Sequence, residues 1–432
     1  MNDFSPRRTL PPEPGAAEPP RRPARGGLFG VLDVGSTKIA CLIGRAESDG
    51  ALRVIGFGWQ KGRGVRGGGV TDLADAEKAI RAAVGQAEDM ADTSLRSVTA
   101  NLSCGQPESR LFNVQWPVGG RAVAAEDVQR VVYEARARAL SEGRETIHAL
   151  PLSFAVDDTA DVADPRGLYC DTLTARLHIV DAATSALRNF GVCLARADLD
   201  IAGLVSAPLA AGLSVLVEDE RVLGATVIDM GGGTTGMAVF GEGQILHTAM
   251  LPVGGMHVTN DLARILSTPV AHAERLKTLY GNAESSPDDE REMLPVPLVG
   301  EEEHQIARVP RAMVVSIIRP RLEETFEMVQ ERLQATGLSR VAGTRVVLTG
   351  GAAQLAGARE MAARILGRQV RIGRPHGLRG LPEAASGPAF ATASGLLAWA
   401  AGAGQTMHDI DLTPEASRGV VGRVIDFFRQ RL

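Results

Sequence analysis

The chain has 432 residues, 44% hydrophobic and 22% charged, with a formal net charge of −5. That length supports two or more domains with a sizeable core, and the charge gives no global bias toward nucleic acid, so no nucleic-acid partner is expected. No apolar run reaches the roughly twenty residues that cross a bilayer, no apolar h-region opens the chain, and Cys41, Cys104, Cys170 and Cys193 are too sparse for a secreted disulfide scaffold; reduced thiols in a cytoplasmic protein are expected.

Residues 1–26 are rich in proline and arginine and predict a disordered arm. Val31 to Gly44 then reads as a strand closed by Asp33, a turn of Gly35, Ser36, Thr37 and Lys38, and a second strand. Leu52 to Gly58 predicts a third strand, and Asp72 to Met90 a helix with Leu73, Ala76, Ile80, Ala83, Val84 and Ala87 inward. Between them, Gly62 to Gly67 has the formal spacing Gly-x-Gly-x-x-Gly. Glycine continues through Gly69 and the helix starts too late for a dinucleotide site, so a flexible loop is expected.

Residues 95–104 and 110–118 alternate like strands, Glu126 to Ala139 predicts a helix with Val128, Val131, Val132 and Ala135 inward, and Thr146 to Val156 returns to strand. This β-β-α-β piece is expected to interrupt the first domain, with the earlier sheet resuming from Leu173. A helix over Asp181–Ala195, a strand holding Ile201 and Leu204, and a helix over Pro208–Val217 follow.

Val227 to Phe240 repeats the first design: a strand closed by Asp229, a turn of Gly231, Gly232, Gly233, Thr234 and Thr235, and another strand. Two such hairpins in one chain suggest a duplicated unit whose turns face each other across a cleft. Glycine backbone N–H groups and the Ser36, Thr37, Thr234 and Thr235 hydroxyls suit phosphate oxygens, and Lys38 adds a point charge. Asp33 and Asp229 cannot sit beside phosphate unaided, so a shared Mg²⁺ held through its water shell is expected.

From Gly254 to about Arg319 the pattern is helical, apart from an acidic, proline-containing run, Glu284 to Glu303, expected to be a solvated loop. Pro320 to Ala335 predicts an amphipathic helix. Arg345 to Ala353 reads as a strand entering a Gly350-Gly351 turn, whose bare backbone can lie against a flat ring such as adenine. Gly387 to Ala400 reads as a small-residue helix. After a linker from 401 to 417, residues 418–432 place Val421, Val424, Ile425, Phe428 and Leu432 on one helical face, with Phe427 at its margin, against Arg423 and Arg429. That helix is too short to span a bilayer but suits the headgroup region of an anionic membrane.

Five segments fall in the order of the actin/DnaK-type ATPase superfamily: Leu32–Gly44, Ala202–Val215, Val227–Phe240, Val346–Gly357 and Gly387–Ala400. Within it the chain resembles the FtsA family of bacterial cell-division proteins from about Leu28 onward, above all at Ala273–Gly281, Val347–Gln354, Gln369–Gly373 and the inserted subdomain. The resemblance implies an α/β, two-lobed actin-like fold of duplicated RNase H-like domains. Lobe one would comprise 27–94 and 169–203 with an inserted subdomain at 95–168; lobe two would comprise 204–254 and 320–400 with a smaller part at 255–319.

It also implies ATP as ligand, with Glu274 and Lys277 at the ribose and Gly350, Gly351 and Ala352 flanking adenine. Related ATPases often carry a water-orienting Gln or Glu where this chain has Ser206, Ala207 and Pro208, so tight binding with slow hydrolysis is expected. The implied partners are a further copy of the chain, the C-terminal peptide of FtsZ at 255–320, later division proteins on the insertion, and anionic lipid at the inner face of the membrane. A small-molecule kinase of the same superfamily and an MreB-type filament are the alternatives.

Overall fold

The computed structural model describes residues 27–139, 141–300 and 306–403; the expected arm at 1–26, most of the 401–417 linker and the terminal helix at 418–432 lie outside the described residues. Apolar runs form β1 (Leu28–Val34), β2 (Lys38–Ala46) and β3 (Leu52–Lys61). A short ribbon of β4 (Val65–Arg66) and β5 (Gly69–Val70) leads to α1 (Leu73–Ala91), capped by the Asp72 carboxylate, and to β6 (Ser97–Leu102). The α1 stripe Ala76, Ile80, Ala83, Val84 and Ala87 is buried as its 3.6-residue spacing predicts.

Then come β7 (Glu108–Ala122), α2 (Ala125–Arg138), β8 (Arg144–Val156), β9 (Thr159–Val162) and β10 (Tyr169–Ala183), followed by α3 (Thr184–Arg196), β11 (Asp200–Ser206), α4 (Ala207–Val215) and α5 (Glu218–Leu223). The second half holds β12 (Ala225–Met230), β13 (Thr235–Gly241), β14 (Gln244–Leu251), α6 (Gly255–Ile265), α7 (Val270–Tyr280), β15 (Met293–Pro297), β16 (Ile306–Pro310) and α8 (Arg311–Ala335). It closes with β17 (Arg345–Thr349), α9 (Ala358–Leu366), β18 (Gln369–Ile372), β19 (Leu378–Arg379) and α10 (Ala391–Ala398).

Two large sheets have the orders β11-β6-β1-β2-β3-β19 and β14-β13-β12-β17-β18. In each, three consecutive strands meander antiparallel and the first then pairs in parallel with a later strand, β1 with β6 and β12 with β17. The duplication suggested by the two hairpins is therefore a duplication of sheet topology. A third sheet, β7-β10-β8-β9, carries α2 across one face, with Val128, Val131, Val132 and Ala135 in its core.

Strand pairing corrects the edges expected for the insertion. β6, expected inside it, pairs with β1 and β11 in the first sheet. β10, expected to resume that sheet, pairs with β7 and β8, and the first sheet resumes only at β11. Alternation reports that one face is buried, not which sheet buries it. The following helix starts at Thr184 rather than Asp181, because Asp181 still lies within β10, as a buried carboxylate held by Arg110 at 2.6 Å and Arg144 at 2.5 Å.

Two further expectations give way in the second half. The acidic run is no simple solvated loop: it contains the β15–β16 pair, and Asp289 is buried, accepting from Ser286 N–H at 2.7 Å and lying 3.5 Å from Arg311. α8 begins at Arg311 and continues through Pro320. The helix bond that proline removes is offset by burial on both sides of it, at Ile317, Ile318 and Leu322.

α4 and α10 lie between the two large sheets, in one core that joins Val31 and Leu42 of the first to Val227, Phe240 and Val347 of the second. The helices cross so closely that a β-carbon at Gly395 would fall 1.6 Å from the Ala210 carbonyl oxygen. All four cysteines are buried and free, as expected of small core residues, and burial raises the Cys41 thiol to about 12.

Candidate functional site

The two hairpins close their turns in the same way. Gly35 N–H donates to Lys38 O and Gly231 N–H to Thr234 O, each at 2.9 Å, with Asp33 and Asp229 each two residues before the glycine. They meet tip to tip: a β-carbon at Gly232 would lie 2.4 Å from Thr37 Cγ2, and one at Gly233 2.3 Å from Ser36 Oγ. Bare backbone on one turn thus accommodates the hydroxyl residues of the other. Gly254 buttresses the second turn from behind, where a β-carbon would fall 2.7 Å from Gly231 O.

Lys38 is not left free at its turn. Its ammonium lies 3.2 Å from Asp33 Oδ2, donates to the Ala389 carbonyl, and sits 3.9 Å from the centre of the Phe390 ring. Asp229 accepts from the Thr392 hydroxyl at 2.7 Å, and Gly350, with φ of +85°, leaves room for it; a β-carbon there would lie 2.5 Å from Asp229 Oδ1. Burial pushes the Asp229 carboxyl up to about 6, the Asp33 charge adds to the rise, and Thr392 and Lys38 oppose it.

Two carboxylates facing one cleft with a single lysine between them form a site short of positive charge, which a hydrated Mg²⁺ fits. Among the described residues no group of three or more His, Cys, Asp and Glu could hold a metal ion. Bound there, the ion would neutralise phosphate oxygens against the two aspartates.

At the other end of the cleft, Lys277 and Glu274 form an ion pair of 2.7 Å one helical turn apart on α7. Lys277 Nζ also donates to Gly255 O at 3.1 Å and Thr259 Oγ1 at 2.8 Å. A β-carbon at Gly255 would lie 3.0 Å from Ala352 Cβ and 3.6 Å from Lys277 Nζ, so these three residues are neighbours. Gly351 lies beside Ala389. Gly350, expected beside a ring, packs against Asp229 on the side where a β-carbon would stand.

One hydroxyl expected at phosphate is already committed: Thr235 is fully buried and donates to Val253 O at 2.8 Å, because the β13 pleat turns it inward, whereas Thr234 keeps some exposure. Several contributors escaped the sequence. Asn101 at the end of β6 accepts from Val34 N–H at 2.7 Å and braces the first turn; Thr392, Phe390 and Gly254 act as described above. Only the Gly254-Gly255 pair after a strand gave a local signal.

Comparison with known proteins bears on the fold and the family. Residues 226–395 match the family described as cell division protein FtsA, and residues 104–181 the SHS2 domain inserted in FtsA. The chain is 45% identical over 384 residues to cell division protein FtsA of Rhizobium meliloti (strain 1021), covering 86% of this chain and 87% of that protein. It is 35% identical over 377 residues to that of Escherichia coli (strain K12), covering 85% and 88%. Among solved structures, the PilM-PilN type IV pilus biogenesis complex aligns with a TM-score of 0.62 at 18% identity, covering 86% of this chain and 98% of that one. MreB5 of Spiroplasma citri bound to ADP aligns at 0.50 and 13%, covering 88% and 98%. The fold is that of the actin-like ATPases, and the chain belongs to the FtsA family of cell division proteins.

Proposed function

We propose that this division protein is an actin-like scaffold governed by Mg-ATP. The cleft takes the nucleotide, with the glycine turns, Ser36, Thr37 and Thr234 at phosphate, Asp33 and Asp229 on the ion's water shell, and Lys277, Glu274 and Ala352 toward the nucleoside. The lobes set a conformation competent to polymerise, the terminal helix holds the polymer on anionic lipid at the inner face of the membrane, and the part around 255–320 receives the FtsZ C-terminal peptide. Nothing in the sequence or the cleft supplies a water-orienting Gln or Glu at Ser206–Pro208, so hydrolysis is slow.

The observation that carries this is the tip-to-tip contact of two topologically equivalent turns, each led by an aspartate. Calorimetry on the full chain should register ATP uptake that depends on Mg²⁺; no uptake by well-folded protein would sink the proposal. Deleting 419–432 should abolish pelleting with anionic liposomes, and an FtsZ tail peptide should co-sediment with wild type. Retained pelleting or absent peptide binding would remove those two parts separately.

A further inference from the structure

The inserted sheet β7-β10-β8-β9 is entered and left through lobe one, and charge holds it there. Where the two connections meet, Ala183 N–H donates to Gly105 O at 2.9 Å. Beside them the buried Asp181 carboxylate binds both Arg110 and Arg144, and Arg144 Nη2 also donates to Gln106 O at 2.8 Å. Charge-assisted bonds of this kind are roughly twice as strong as neutral ones. Further along β8, the buried His148 accepts from Ser206 N–H at 3.0 Å, at the end of β11. The insertion therefore moves with lobe one.

Its other edge reaches lobe two. β7 and β14 are edge strands of separate sheets, and among the described residues no ladder joins them. A hydroxyl bridges them instead. Ser109 Oγ on β7 accepts from Thr248 N–H on β14 at 3.1 Å, and lies 2.6 Å from His178 Nε2 of β10 and 3.3 Å from His247 Nδ1 of β14. His178 is fully buried, so the hydroxyl is fixed from the side of the insertion and offered to lobe two. This joint carries no charge at neutral pH: burial lowers the His247 imidazole to about 4, and Arg332 adds to the fall. His247 Nε2 is buried with no hydrogen-bond partner among the described residues. Water would satisfy that nitrogen if the strands parted, so desolvation at His247 opposes the bonds at Ser109.

From this asymmetry, a charged attachment to lobe one and a neutral one to lobe two, we infer that Ser109 is the releasable fastening of the insertion to lobe two and that it helps hold the lobes closed. The inference rests on the cleft taking a Mg-nucleotide. Parting the lobes turns lobe two about α4 and α10, the helices that lie between the two large sheets. That turn carries β14 past a β7 that stays with lobe one, and the Ser109 bonds break. Nucleotide release then requires the fastening to open as well as the ligand's own contacts.

The test uses the full chain. Ser109→Ala should speed deuterium exchange of the Thr248 amide in the free protein on the order of tenfold. It should also speed release of radiolabelled Mg-ATP severalfold in a chase with unlabelled Mg-ATP, with its association rate unchanged. Ser109→Thr, which keeps the hydroxyl, should bring both rates back toward wild type. Unchanged Thr248 exchange in Ser109→Ala would show that the hydroxyl is not the fastening. Faster exchange with wild-type release, or a lower melting temperature alone, would show a packing role without bearing on closure, and either result overturns the inference while leaving the cleft intact. Wild-type protein that takes up no Mg-ATP would overturn the cleft assignment itself, and the closing role with it.

Discussion

The two hairpins share a backbone and divide the chemistry. Gly35 and Gly231 close their turns with matching bonds, and Asp33 and Asp229 precede them at the same spacing. After that point the turns are opposites: Ser36, Thr37 and Lys38 present side chains, while Gly232 and Gly233 present only backbone. The contacts Gly232 with Thr37 and Gly233 with Ser36 are related by exchanging the two hairpins. Two turns of hydroxyl residues would collide at that separation, and two turns of glycine would leave a gap. A duplicated unit can close on itself only if its copies become unlike at the contact.

The largest expected effect comes from making the copies alike. Gly232→Thr places a β-carbon 2.4 Å from Thr37 Cγ2, and overpacking of this kind costs about 1–3 kcal/mol. If that cost falls on the closed, nucleotide-holding geometry, Mg-ATP affinity drops by up to about a hundredfold in calorimetry. The swapped pair, Gly232→Thr with Thr37→Gly, should recover much of it. A double variant no better than the single one would show that the hairpins are not complementary in this sense.

The aspartates should also differ, and in sign. The Asp229 carboxyl titrates near 6 in the folded protein against 3.8 ordinarily, so between pH 4 and 6 the folded state binds more protons than the unfolded state. Stability from this group is present below pH 4 and is lost as pH rises through 6. Asp229→Asn removes that penalty and should stabilise the protein in urea denaturation at pH 7.5 by about 2 kcal/mol, allowing for the solvent that still reaches the carboxylate, with no gain at pH 4. Asp33→Asn strands Lys38 between Ala389 and Phe390 and should destabilise by about 1 kcal/mol at pH 7.5. Both substitutions should weaken Mg-ATP binding.

What the sequence disclosed follows the same division. Strand, turn and strand around Asp33 and Asp229 were legible because burial and glycine both act locally, as were the buried stripes of α1 and α2. Side chains that reach the site from far away were not. Thr392 bonds Asp229 across 163 positions and Asn101 bonds Val34 across 67, and neither threonine nor asparagine shows from its neighbours that it will do so. The strand at 97–102 was legible as a strand, but its sheet was not, since β6 and β7 are each buried by different partners that lie elsewhere in the chain. Glycine content at Gly62–Gly69 by itself signals freedom, whereas here it marks close approach from two sides.

The smallest expected effect separates the adjacent threonines of the second hairpin. Thr235 Oγ1 is 2.8 Å from Val253 O inside the core, while Thr234 keeps partial exposure. Thr235→Val keeps the shape and leaves the Val253 carbonyl without that donor, so it should cost about 1 kcal/mol of stability and leave Mg-ATP affinity unchanged. Thr234→Val should do the reverse, with an unchanged melting temperature and a severalfold loss of Mg-ATP affinity. If Thr235→Val weakened nucleotide binding as much as Thr234→Val, the turn would have to open on ligand uptake and release the Thr235 hydroxyl from Val253. The closed contact between the hairpins would then belong to the free protein alone.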